Sequence, residues 1–422
     1  MSSDVALSPT AQYKVEAKER SALKAKLRRA ERMRQLKAFG LIAPLLAFLL
    51  ITFVIPIAGM MLRSVHDPEL SQVWPRTTAA IGAWADRTQL PSEEIYAALA
   101  ADLRESRENR TIGTAARRLN YDINGARTFI MGTARALPET AEAWKPVLME
   151  LDPAWTSVET FGAIDRASGP FTSFFLLSAI DKEKNAAGEI VSAPEEEAVY
   201  LTLFGRTFFI STMVTLICLV MGFPVAYLLA TLPAKKANLL MILVLLPFWT
   251  SLLVRTAAWV VVLQEQGLVN DALRFLGILD EPMRLMYNRT GVYIAMVHIL
   301  LPFMILPLYS VMKGIKPVYL RAATSLGAPP VTAFVRVYLP QTLPGISAGA
   351  LLVFIISIGY YITPALVGGA ADQMISYFIA FYTTGTVNWG MAAALGAVLL
   401  VATMILYAIY NRLVGADKVR LG

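Results

Sequence analysis

Residues Ala43–Leu62 read APLLAFLLITFVIPIAGMML, twenty positions without a charge. Only Pro44 and Pro56 interrupt a helical pattern. An apolar run of about 20 residues crosses the roughly 30 Å hydrocarbon layer of a bilayer as a helix. Lipid offers no hydrogen bonds, so the backbone must satisfy itself within a helix or a closed barrel. Barrel strands alternate apolar and polar positions, and a continuous run excludes them.

Reading outward from this run, five more blocks of the same kind follow. With the first span at 39–62, the others fall at 205–231, 239–263, 290–312, 344–366 and 389–411. The expected fold is therefore all-α, a polytopic membrane protein of about six transmembrane helices. Composition agrees: 56% of residues are hydrophobic, 16% are charged and the mean hydropathy is +0.53, against about 25% charged in soluble domains. The organisation expected is a basic tail (1–38), the first span (39–62), a polar insertion (63–199), a five-helix core (200–412) with a long loop at 313–343, and a short tail (413–422). Cys218, the sole cysteine, lies inside a span, so neither a disulfide framework nor a cysteine metal site is expected.

A net charge of +7 raises the question of nucleic acid, and its placement answers it. Lys14, Lys18, Arg20, Lys24, Lys26, Arg28, Arg29, Arg32, Arg34 and Lys37 all precede the first span. Such a tail rests on anionic lipid and holds the amino terminus in the cytoplasm. The loops then alternate as the positive-inside rule requires. Residues 232–238 carry Lys235 and Lys236 and no acid, 313–343 carry Lys313, Lys316, Arg321 and Arg336 and no acid, and the final tail carries Arg412, Lys418 and Arg420 against Asp417. On the other side, 264–289 carry Glu265, Asp271, Asp280 and Glu281 against three arginines, and 367–388 carry Asp372 alone. An odd number of spans breaks this agreement.

The insertion reads as a small α-rich domain on the periplasmic side. Pro91 and Ser92 open a stretch with Ile95, Leu99 and Leu103 at helical spacing, a second amphipathic stretch runs through Ile112–Leu119, and Ser168-Gly169-Pro170 mark a break. It holds 21 acids against 14 bases. Contact with a delivery protein and a merely decorative role both remain open for it.

The loop at 313–343 contains Arg321-Ala322-Ala323-Thr324-Ser325-Leu326-Gly327, nine further residues, then Val337-Tyr338-Leu339-Pro340. Two small alanines let a short helix seat closely against another protein, Gly327 allows a sharp turn after it, and Leu339-Pro340 closes a second short helix leading into the next span. This pattern resembles the coupling loop of ATP-binding-cassette importer permeases: Glu-Ala-Ala, a glycine four residues after the second alanine, then Leu-Pro. Arg321 stands where that family carries Glu. Leu246–Thr256, Leu300–Tyr309 and Thr363–Gly369 are similar to the spermidine/putrescine (PotB-like) permease group, and the similarity runs through residues 200–412.

The resemblance implies a type I ABC importer permease in the bacterial inner membrane, with no catalytic residues of its own. The sequence has no Gly-Lys-Ser/Thr phosphate loop, so the resemblance assigns ATP and magnesium to separate ATPase subunits. It further implies a second, PotC-like permease subunit and a periplasmic solute-binding protein. Arg321, Ala322, Ala323, Gly327, Leu339 and Pro340 are then the ATPase-coupling residues.

For the substrate path, an ionisable residue in mid-span is a functional candidate by default, and Arg255 is one. Trp249 and Trp259 flank it, and Tyr360, Tyr361 and Thr363 precede and adjoin Pro364 in the fifth span. Aromatic faces can hold a cation, and packing within the bundle is the alternative for each. His298 in the fourth span reads as a packed polar residue. The resemblance names polyamine as cargo. However, polyamine permeases carry Gly-Glu-Tyr before the Thr-Pro where this chain has Gly359-Tyr360-Tyr361, and no Asp or Glu lies well inside a span. An amino acid derivative, opine or phosphonate remains open beside it. A secondary transporter would call for inverted repeats and an intramembrane acid or proton site, and a membrane-anchored receptor, which needs one or two spans, would leave the other spans and the 321–340 loop unexplained.

Overall fold

The architecture is that of a computed structural model, which describes residues 30–185 and 188–414. Lys14 to Arg29 of the basic tail, and Asp417, Lys418 and Arg420, lie outside the described residues. Two compact units are distinguished, Met1–Met60 and Met61–Gly422.

The first span is a helix over Ala30–Leu62, nine residues longer at its start than the span expected at 39–62. Within it Leu50–Val54 is wound as a π-helix, the Ile55 N–H reaching the Leu50 carbonyl. Pro56 explains the position: its ring would clash with the carbonyl four residues back, and one wider turn relieves this.

In the second unit the insertion folds around its own core. Leu70, Trp74, Leu99, Trp155 and Phe161 are fully buried there. Both sequence-derived helices are present, Glu93–Glu108 with Ile95, Leu99 and Leu103 inward, and Ile112–Leu119. Glu93 does more than start its own helix: its carboxylate accepts from the Trp144 and Lys145 amides, capping Trp144–Leu151. Arg118, buried beside Phe174 and Phe175, bridges Asp67 and Asp122 and so ties the chain leaving the first span to this domain. A two-stranded hairpin, Lys182–Lys184 with Ile190–Ser192, is an element the sequence pattern did not announce.

The insertion is seated on the membrane core. Phe175 and Ala179 pack with Leu203, Phe204, Ile375 and Met391. The Phe175 ring occupies the space that a Cβ at Gly390 would take. Asp181 accepts from the Tyr200 and Leu201 amides at 2.9 and 2.8 Å and caps the second span.

The second span is Tyr200–Thr231, the fourth Arg289–Gly314 and the sixth Trp389–Val414. Spans two, four and five form the densest part of the bundle. Gly222 lies on Met304 and Ile305, while Gly345 and Gly349 lie against Leu308 and Met304, where little space remains for a side chain. Small residues are what permit helices to approach this closely in a membrane.

Two spans depart from single helices. The run expected at 239–263 is Ala234–Leu245, a 3₁₀ turn at Leu246–Trp249, and Leu252–Val262, bent by 97° across the break. Pro247 removes a donor, and Ser251 starts a fresh helix by accepting from the Val254 amide at 3.2 Å. The run expected at 344–366 is Leu339–Gly359, a break at Tyr360 and Tyr361, then Ile362–Val367. A further apolar helix, Ile375–Thr384, fills what the sequence presented as a connecting loop.

Candidate functional site

The helices that follow the two breaks meet. Leu252–Val262 packs on Ile362–Val367, and the Thr256 and Thr363 hydroxyls pair at 3.1 Å between them. The Tyr360 carbonyl, released by the break, accepts from Ser376 Oγ at 2.6 Å. Broken helices at membrane depth survive only where such partners satisfy the backbone.

Arg255 projects from the first turn of Leu252–Val262. Its Nε and Nη1 are buried and without a partner among the described residues, while the residue as a whole is half-buried. Trp259, one turn further, donates Nε1–H to His298 Nδ1 at 3.1 Å, the rings meeting edge to face. The structure thus joins Trp259 to His298, with Arg255 one turn before Trp259 on the same helix and Tyr360 at the break leading into the helix packed against it. A guanidinium carrying unpaired N–H groups there can engage a carboxylate, a phosphonate or a carbonyl; the rings beside it can take an alkyl or ammonium group.

The remaining path candidates sit differently. Trp249 is 76% exposed at the end of the 3₁₀ turn, and the neighbouring Phe248 packs on Phe303 instead. Tyr361 is exposed at the fifth-span break. Thr363 is fully buried with its hydroxyl engaged by Thr256.

At the opposite end of the second span from the insertion lies the 313–343 loop. Val318–Ser325 is a short helix containing Arg321, Ala322 and Ala323. Its end is a Schellman turn: Ala328 N–H reaches the Ala323 carbonyl, Gly327 N–H reaches that of Thr324, and Gly327 adopts φ +88°. Beyond it Pro330–Ala333 and a π-helical turn, Phe334–Tyr338, lead into Leu339 and Pro340. That π turn stands just before a proline, as in the first span. Leu326 is 89% exposed and Val331 74%, with Tyr319 beside them, so apolar and small side chains face outward around one arginine.

Sequence reasoning missed the residues that hold this loop. Tyr227 of the second span meets Phe334 and Tyr338 edge-on at 5.6 and 5.3 Å, and Phe223 meets Phe334 at 6.3 Å. The aromatics at 223, 227, 334 and 338 were visible, but their convergence joins segments more than one hundred residues apart. At the insertion end, Arg289 pairs with buried Asp372 at 2.9 Å and Arg206 donates to the Gln373 carbonyl, fixing the segment between spans five and six. Asp372, the lone acid of its loop, is thereby neutralised.

Comparison with known proteins bears on the same stretch. Residues 219–416 match the family model described as binding-protein-dependent transport system inner membrane component. The Escherichia coli K12 spermidine/putrescine transport system permease protein PotB is 36% identical over 216 residues, covering 51% of this chain and 78% of that protein. Its Haemophilus influenzae counterpart is 38% identical over 209 residues, 49% of this chain and 73% of the relative. Among solved structures, a bacterial ABC transporter that imports the acidic polysaccharide alginate aligns at a TM-score of 0.45 and 16% identity, over 52% of this chain and 80% of that one.

Proposed function

This chain belongs to the binding-protein-dependent transport system inner membrane components, the permease subunits of ATP-binding-cassette importers, and from that premise we propose that it carries polyamine across the inner membrane from a periplasmic binding protein. It works with an ATPase partner and a soluble binding protein, as its family implies. We assign ATP and magnesium to the ATPase partner and a PotC-like second permease to the other half of the path.

The observation that carries the proposal is the loop at 318–340: a short helix with Ala322 and Ala323, closed by Gly327 at positive φ, presenting small and apolar surface. In this reading it faces the cytoplasm and docks in a cleft of the ATPase, and the amino terminus and the 413–422 tail share that side. The insertion, at the other end of the second span, faces the periplasm. ATP binding draws the ATPases together, shifts the loop, and turns the path from inward- to outward-facing. Arg321 replaces the acid of the family pattern, so the contact it makes is with an acidic or carbonyl group of the ATPase.

Polyamine rests on the PotB relatives; Trp249, Trp259, Tyr360 and Tyr361 would supply the aromatic faces, and Thr363 the seam behind them. A second reading draws on Arg255. A half-buried cation with unpaired N–H groups favours cargo bearing an acid group, such as an amino acid derivative, opine or phosphonate.

Co-purification tests the permease role. Gly327→Pro denies the Schellman turn its N–H and its positive φ, and the ATPase is expected to be lost from the complex while the permease stays in the membrane. An undiminished complex overturns the docking assignment. For cargo, calorimetry on the cognate binding protein decides: spermidine or putrescine is expected to bind, and a ligand bearing a carboxylate or phosphonate in their place overturns polyamine in favour of the Arg255 reading.

A further inference from the structure

We propose that Tyr227 is a positioning residue that makes the loop at 318–340 and the final turns of the second span move as one piece, so that the loop's displacement reaches the bundle through this ring.

Three observations converge on Tyr227. First, the ring stands edge-on to two others at once, at 88° to Phe334 and 86° to Tyr338. Those two rings are themselves stacked, 5.3 Å apart and 21° from parallel. Offset and edge-to-face aromatic pairs contribute beyond their buried area and resist sliding. Second, the backbone is shaped for this arrangement. Phe334–Tyr338 is a π-helical turn, closed by the Leu339 N–H on the Phe334 carbonyl. The wider turn relieves the clash that Pro340 would otherwise make, and within it two aromatic residues four apart lie side by side. Tyr338 is 5% exposed and anchored in the same core as spans two, four and five.

Third, the second span changes character at the level of the contact. Pro224 lies inside the helix, between Phe223 and Tyr227. A proline there removes one helical hydrogen bond and makes a bending point. On one side of it, Gly222 sits on Met304 and Ile305 of the fourth span. On the other side, Tyr227 holds the loop. Phe223, just before the proline, also meets Phe334 at 6.3 Å, and Ala226 and Leu229 beyond it are buried in the shared core, so loop and bundle contacts interleave across the bending point. Force applied at Ala322 and Ala323 reaches Phe334 and Tyr338, then Tyr227, and is delivered across Pro224 to the helix pair whose packing it must change.

This inference rests on the loop's docking to an ATPase, and its test separates from that one. In the full transporter reconstituted with its ATPase and binding protein, Tyr227→Ala is expected to leave the ATPase bound and hydrolysing while uptake falls about tenfold, raising the ATP spent per cargo by the same factor. Tyr227→Phe keeps the ring and is expected to keep the wild-type ratio. Uptake and hydrolysis falling in proportion, or neither changing, overturns the proposal. A second measurement does not depend on the alanine variant folding. With spin labels at Leu228→Cys and Val335→Cys, exposed positions that leave the three rings in place, the distance between the labels is expected to be the same with and without trapped nucleotide, because the two segments travel together. A distance that changes between the two states shows the contact breaking during the cycle and overturns it. Loss of the ATPase on Gly327→Pro would go on reporting the docking assignment alone.

Discussion

Asp102 shows how a single side chain carries both a structural role and a pH signature. It is 1% exposed, and its Oδ2 accepts from the Thr77 amide and hydroxyl at 2.7 and 2.8 Å, while Oδ1 has no hydrogen-bond partner. Burial raises its pKa above the ordinary 3.8, outweighing the Thr77 hydrogen bonds and Arg76, which act the other way. The folded insertion therefore holds this proton more tightly than the unfolded chain does. Linkage then gives the sign: stability is greatest at low pH for this group and falls as pH rises from the ordinary value through the raised one. Asp102→Asn keeps an acceptor for Thr77 and removes the charge, so it is expected to flatten this part of the pH dependence and to stabilise the insertion at neutral pH. Urea unfolding of the solubilised protein, followed through Trp74, Trp84, Trp144 and Trp155 as the pH is raised from the ordinary carboxylate value, reads the slope. An unchanged slope would mean that the penalty lies elsewhere. Arg118 sets the opposite case: its buried charge is compensated by Asp67 and Asp122, and removing either acid leaves a buried charge uncompensated, which is strongly destabilising.

Among the elements, the helices whose signal is local could be read directly. Ile95, Leu99 and Leu103 recur at helical spacing and are all buried, and Ile112–Leu119 has the bounds its pattern gave. The broken third span could not, because Leu246-Pro247-Phe248-Trp249 is as apolar as the helices it interrupts and hydropathy does not register a 97° bend. Ile375–Thr384 escaped for a related reason: ten residues are too few to span, so the stretch reads as part of the loop between spans five and six. The contact between insertion and core is likewise long-range, with Phe175 lying where a Gly390 side chain would project. Gly390→Ala is expected to displace the ring, loosen the Phe174–Ser178 helix from the sixth span and open residues 171–180 to protease in membrane vesicles. Phe175→Leu in the same chain should restore protection in part, since two residues in contact are not additive. Equal cleavage in the single and double variants would show that the seam is held by Asp181 and Leu203 rather than by this pair.

At the scale of the whole molecule, the sidedness of the chain joins the charge pattern to the architecture. The positive-inside reading puts the 313–343 loop and the insertion on opposite faces of the membrane. Independently, Phe175 packs near the start of the second span and Phe334 near its end, so a single helix separates the two. The second argument fixes only that they are opposite; the first alone says which is inside. Cys218, the only cysteine, is buried and makes a quiet background for labelling. Thr140→Cys on the insertion and Ser325→Cys on the loop both fall at exposed positions. In spheroplasts, an impermeant maleimide is expected to label position 140 and spare 325, and in inverted vesicles the pattern should reverse. Labelling of both from one side would contradict the fold, because no six-span arrangement of this bundle brings them together. The reverse pattern would leave the fold standing and remove the ATPase from reach of Ala322 and Ala323, and with it the importer mechanism.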